Sequence, residues 1–160
     1  MKRLSVIFAP VLITALLGVA VAAAHVAATH NSTVTAFQTA TSESAGVAVV
    51  IDAAGDLPGM GKVTFTREGN NVTGGNWTLT VLPANADANA SERGKLSGAI
   101  TGGTLTFNSS GTLSGASSVQ LTIEGGAGEH AGVSAGSGTI NLSSDAENPS
   151  KLNGTLVLNF

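Results

Sequence analysis

The chain has 160 residues, ten carboxylates against seven Lys/Arg, and no cysteine. That length holds one domain once a leader is set aside, and the missing thiols exclude disulfides, thiolate zinc centres, cysteine nucleophiles and a lipid-modified cysteine. Without clustered cations the composition also argues against a nucleic-acid partner, because phosphate recognition needs grouped Lys and Arg.

The first predicted element is a signal helix, MKRLSVIFAPVLITALLGVAVAAA. Lys2 and Arg3 form a positive start, Val6 to Val21 is largely apolar, and Ala22 and Ala24 supply the small side chains a signal peptidase accepts. Residues 1–24 therefore read as a signal peptide cut after Ala24, with cutting after Ala28 as the alternative and an uncleaved anchor as the competing reading. Export follows: a secreted, periplasmic or cell-surface protein that meets the membrane only through its leader. The mature chain carries a formal charge of −5, since Lys2 and Arg3 leave with the leader.

Residues 25–45 are rich in Ser, Thr and Ala and read as an extended, partly disordered lead-in, with a short strand near Val34 to Phe37. The domain proper is expected over 46–160, where the chain alternates at period two. Val47, Val49 and Ile51 share one face, as do Val63 with Phe65, and Trp77 with Leu79 and Val81. Leu96 with Ile100, Leu105 with Phe107, and Val119 with Leu121 and Ile123 follow. Ile140 with Leu142, then Leu156 with Leu158 and Phe160, complete eight runs. Turn signals separate them: DAAGDLPGMG (52–61), REGNNVTGG (67–75), TGGT (101–104) as a two-residue hairpin, NSSGTLSG (108–115) and SSDAENPS (143–150). The longest link is PANADANASERG (83–94).

Eight half-buried strands joined by short links predict an all-β, eight-stranded antiparallel up-and-down barrel, with a β-sandwich as the alternative. Its interior would be lined by Phe65, Trp77, Leu79, Phe107, Leu121 and Leu158. Such an interior is either filled by side chains or holds one small ligand. Phe65, Trp77, Phe107 and His130 are the candidate ligand-binding residues, and a small apolar molecule is the expected partner. No catalytic residue, metal site or cofactor is assigned.

The other motifs carry weaker chemistry. In IEGGAGEHAGVSAGSGTINL (123–142), Gly126 and Gly128 begin a G-x-G-x-x-G pattern, but Ala131 holds the third place and a strand follows. The glycines read as a turn between strands. His130 could act as a base oriented by Glu129 or Glu124, although no nucleophile motif accompanies it. His25 and His30 fall in the lead-in, which offers no scaffold for a three-His metal site. Asp52 and Asp56 read as turn formers, and Asn85, Asp87 and Asn89 lack the glycine and the bidentate Glu of a calcium loop. The N-x-[ST] triplets at Asn31, Asn71, Asn76, Asn108, Asn141 and Asn153 matter only in a glycosylating host. The Thr-x-Thr pairs 64/66, 78/80 and 104/106 are spaced too irregularly for an ice-binding array.

The succession GDLPGMGKVTF, GGNWTLTV, GKLSGAITGGTLTF, LTIEGGAGEHAGVSAGSGTINL and NGTLVLNF resembles secreted bacterial proteins of the allene oxide cyclase and dirigent-like barrel group. The glycine spacing from Gly125 to Gly138 carries most of that resemblance, which covers roughly residues 46–160. It implies an eight-stranded antiparallel barrel with an apolar interior. In plants the group guides or cyclises reactive oxylipin or phenoxy-radical intermediates. Dirigent-type chemistry is associated with Asp, Arg and Tyr, and this chain has no Tyr, so the activity is not carried over.

Three functions are thus in view. The first is an exported non-catalytic barrel, structural or holding a small apolar ligand inside. The second is an isomerase or cyclase with His130 and Glu129 at the mouth. The third is a small outer-membrane barrel, suggested by Leu152, Leu156, Leu158 and Phe160 at alternate positions.

Overall fold

A computed structural model describes residues 27–42, 46–84, 91–114 and 117–160. The leader, His25 and the Asn85–Asp87–Asn89 stretch lie outside the described residues. Nine strands follow in order: β1 (Thr29–Ser42), β2 (Gly46–Gly55), β3 (Gly59–Glu68), β4 (Asn71–Val81), β5 (Gly94–Thr104), β6 (Ser117–Ile123), β7 (Gly125–Gly128), β8 (Gly136–Ser144) and β9 (Lys151–Asn159). Each strand pairs antiparallel with its neighbours, and β9 returns to β1. Eight strands thereby close an up-and-down barrel, and β7 is the extra one.

Its register explains β7. Gly103 pairs with Val119 and Thr104 with Ser118 at one end of β5, while Gly94 pairs with Gly128 and Ser97 with Gly125 at the other. Apart from a one-residue slip at the Ile100–Leu121 pair, the offset is the same at both ends, so β6 and β7 run as one long line along β5. What changes is the opposite edge: β8 accompanies β6 from Ser117 to Ile123 and then leaves.

Two expectations are corrected. The barrel begins at Thr29, not at residue 46: β1 is a full stave that pairs with β2 on one side and β9 on the other. Its inward side chains, Ser32, Val34 and Ala36, are small, so the alternation is faint in the sequence. Conversely, Leu105–Phe107 is no stave. It belongs to a loop held by one bridge between Phe107 and Leu113, and both Leu105 and Leu113 are buried. The number of staves came out as eight because these two differences offset each other. Thr101 to Thr104 is likewise no hairpin but the end of β5, with a bulge between Ile100 and Gly102.

The Leu105–Leu113 loop closes the base of the barrel. Leu113 N–H donates to Gln38 Oε1 at 2.8 Å, Leu105 N–H to the Asn70 carbonyl at 2.8 Å, and Thr106 N–H to Ser117 Oγ at 3.2 Å. At the far end, the mouth, Asp56 ties the β2–β3 turn to β1. Its carboxylate accepts from Asn31 N–H at 2.8 Å, and its own N–H donates to the Asn31 carbonyl at 3.0 Å. Asp56 is thus a cross-strand tie, while Asp52 points outward from β2.

Between these ends, inward side chains form one apolar cluster that includes Phe65, Trp77, Leu79, Leu121 and Leu158. Among the described residues the only buried polar side chains are Ser32 and Ser117. Trp77 of β4 sits opposite Gly98 of β5. Its indole N–H donates to the Thr122 carbonyl of β6 at 2.9 Å. That carbonyl lies where no residue pairing joins β5 to the stretch between Leu121 and Gly125. A side chain on Gly98 would strike the Thr122 carbonyl and come within 3.0 Å of Trp77 Nε1, so the indole crosses β5 only because Gly98 has none.

The β8–β9 hairpin turns on Asp145. Its carboxylate accepts from Glu147 N–H at 2.9 Å, Asn148 N–H at 3.1 Å and Asn153 Nδ2 at 2.8 Å. The Glu147 N–H, then Asn153 and Asn148, hold its pKa below the ordinary carboxylate value.

Replacing Trp77 by Phe leaves the Thr122 carbonyl unsatisfied in the core, so W77F should lose at least ~1–3 kcal/mol in urea denaturation. Asp145→Ala should melt below the wild type at neutral pH. Because the folded carboxyl has the lower pKa, its stabilisation is present above the unfolded value of 3.8 and fades as pH falls through the folded one. The gap between the two melting curves should therefore close in acid.

Candidate functional site at the barrel mouth

Titratable groups, aromatic rings and a recess converge at the mouth, where β1, the start of β5, the turn after β7 and the end of β9 meet. The assembly starts from backbone pairing. Beyond the Thr29–Asn159 pair, Ala28 N–H donates to the Phe160 carbonyl at 2.8 Å and Phe160 N–H to the Ala28 carbonyl at 3.1 Å. Phe160 is thereby fixed beside His30, and the two rings stack at 4.5 Å with 21° between planes. His130 meets the same phenyl ring at 5.9 Å and 86°. The stacked and perpendicular arrangements are those aromatic pairs prefer.

His130 is placed by a tight turn. Gly128, at φ +62, lets the chain leave β7 in the left-handed region. Glu129 N–H then donates to the Arg93 carbonyl at 2.9 Å, His130 N–H to Ala127 at 3.2 Å, Ala131 N–H to Gly128 at 3.1 Å and Val133 N–H to His130 at 2.9 Å. Arg93 Nε and Nη2 both donate to Glu129 Oε2, Nε at 2.9 Å. This ion pair is half exposed and contributes little beyond direction; the backbone bonds hold the turn.

The pairing also decides what the residues can do. Arg93 holds the Glu129 carboxyl below its ordinary range, first by its hydrogen bond. Partial burial lowers the His130 pKa, Glu129 opposes that shift, and His30 and Arg93 add to it. Glu129 is thus committed to Arg93, and Glu124, exposed, contributes its N–H to the Ser97 carbonyl. Among the described residues no three His, Asp or Glu side chains gather closely enough for a metal ion. Beside this cluster lies a recess of about 450 Å³, lined by Glu129, His130, Gly132, Val133, Ser134, Ala135 and Phe160.

The four sequence candidates do not come together. His130 stands at the mouth, Phe65 and Trp77 are buried in the interior, and Phe107 is at the base, where the Arg67 guanidinium lies 4.3 Å from its ring centre. Sequence reasoning paired His130 with Glu129 but missed Arg93, His30 and Phe160. Only closure of β9 on β1, and of β7 on β5, brings those three to His130. No family model, curated protein or solved structure matches this chain.

The His130 pKa should lie below that of an unstructured histidine, and Glu129→Gln should lower it further by removing the one group that raises it. NMR titration of the imidazole reads both. The sign for stability follows: the unfolded histidine takes its proton first, so the His130 share of stability is present above 6.5 and is lost as pH falls toward the folded value.

Proposed function

We propose that this chain is exported and works as a non-catalytic barrel, serving a structural or binding role outside the cytoplasm. One observation carries the reading: among the described residues the buried interior is apolar apart from two serines. Acid–base or nucleophilic catalysis inside a barrel needs convergent polar groups at the reacting centre, and Ser32 and Ser117 are engaged elsewhere. Ser32 Oγ accepts from Leu57 N–H at 3.2 Å, and Ser117 Oγ accepts from Thr106 N–H. At the mouth, the carboxylate that would assist His130 is taken by Arg93.

The outer wall supports the same reading. Outward positions hold Thr33 and Thr35 on β1, Thr78 and Thr80 on β4, Gln120 on β6, Asn141 and Ser143 on β8, and Thr155 on β9. A barrel in a bilayer shows the reverse pattern, with an apolar band outside. The leader sequence remains the basis for export. Kinship with the allene oxide cyclase and dirigent-like group enters the proposal as shared barrel architecture, without its chemistry.

Two measurements test this. Expressed in a bacterium, the full chain should be recovered outside the cytoplasm with His25 at its N-terminus by mass spectrometry; full-length protein in the cytosol refutes export. Trp77 fluorescence of the purified protein should be blue-shifted, resistant to acrylamide and unmoved by apolar ligands. A ligand-dependent change would instead place a binding cavity in the interior.

A further inference from the structure

We infer that the recess beside the mouth turn is a binding site for a small, planar aromatic molecule, with the rings of Phe160 and His130 and the backbone of Gly132 in its lining. This goes beyond the proposed barrel function and needs neither export nor an open interior.

Its size is suitable. Small-molecule sites run to roughly 300–1,000 Å³, and this recess holds about 450 Å³. It also exceeds shallower depressions on the outer wall, of about 330–370 Å³. Its walls are set before any ligand arrives. Four backbone hydrogen bonds fix the turn, and the His130 ring lies over Gly94, where an added Cβ would stand 3.1 Å from Cδ2. A preformed site spares a ligand the cost of ordering it.

Gly132 lines the recess, and an added Cβ there meets nothing within 4 Å, so a larger side chain can be introduced at its edge without a clash.

The lining sets the chemistry of the ligand. With His30 already stacked on one face of Phe160, a ligand ring in the recess would meet the phenyl and the His130 imidazole, inclined at 86°, from the recess side. Arg93 and Glu129 neutralise each other at its edge. The half-buried imidazole of His130 and the hydroxyl of Ser134 are left as hydrogen-bonding groups.

Indole is a suitable probe, added to the mature chain labelled for NMR near neutral pH. Saturable shifts are expected at the His130 ring and the Val133 methyls, with a Kd on the order of 1 mM for so small a molecule. Gly132→Leu, which fills the rim, should weaken binding about tenfold or more. Ala135→Leu, elsewhere in the lining, should do the same, so a folding defect in one variant does not decide the matter. Cyclohexanol, of similar bulk but not planar, should bind far more weakly. Absence of saturable shifts, undiminished binding in both folded variants, equal binding of cyclohexanol, or shifts centred on Phe65 and Trp77 would each overturn the assignment.

Discussion

The indole of Trp77 fills the middle of a cylinder only eight strands around, and three of those strands are shaped to admit it. β4 carries the ring, β5 withholds a side chain at Gly98 beneath it, and β6 offers the Thr122 carbonyl to its N–H. In a narrow barrel every inward position competes for the same axis. A large ring is accommodated only where a neighbouring position is empty, and its one polar atom must find an acceptor in a dry core. The gap in residue pairing between Leu121 and Gly125 leaves that acceptor available. Side chain and ladder are thus matched: the hydrogen bond that the backbone of β5 does not make there is made by tryptophan.

Alternation read seven of the staves directly, because their inward positions carry branched aliphatic or aromatic side chains beside Thr, Ser and Asn. β1 escaped because Ser32, Val34 and Ala36 bury little area each, so its pattern resembles that of a linker. Leu105 and Phe107 misled for the opposite reason. Their spacing suits a strand, but they serve as a stopper at the base, where an apolar residue is buried whether or not its backbone joins the sheet. Period two registers burial on one side; it does not tell a stave from a plug. The mouth cluster was less legible still. His130 and Glu129 are adjacent in sequence, whereas Arg93, His30 and Phe160 reach them only through pairings between strands far apart in the chain.

Stability and exposed chemistry are segregated along the barrel axis. The middle is apolar and closed to water, and the base is capped by a loop anchored through Gln38, Asn70 and Ser117. The imidazoles and the Arg93–Glu129 pair gather at the mouth, on segments whose backbone already belongs to the ladder or to a tight turn. Substitutions at Gly132 or Ala135 therefore touch few contacts that the core depends on. Chemistry can vary at that end while the packed middle remains unchanged.

The continuous β6–β7 line has a consequence for self-association. Closure hides strand edges around the cylinder, but β7 outlasts its partner β8 and keeps β5 as its only neighbour. Its far side has no strand partner, the sort of margin that recruits a foreign strand, although the following turn folds over it: Ala131 N–H donates to the Gly128 carbonyl and the His130 backbone lies against Gly126. Here that margin is four residues long and reads Gly-Gly-Ala-Gly. It offers an invading chain scarcely any side-chain area to grip, and the fold-back at Glu129 cuts it short. The glycines that free the chain to turn also make the overhang a poor seed for polymerisation.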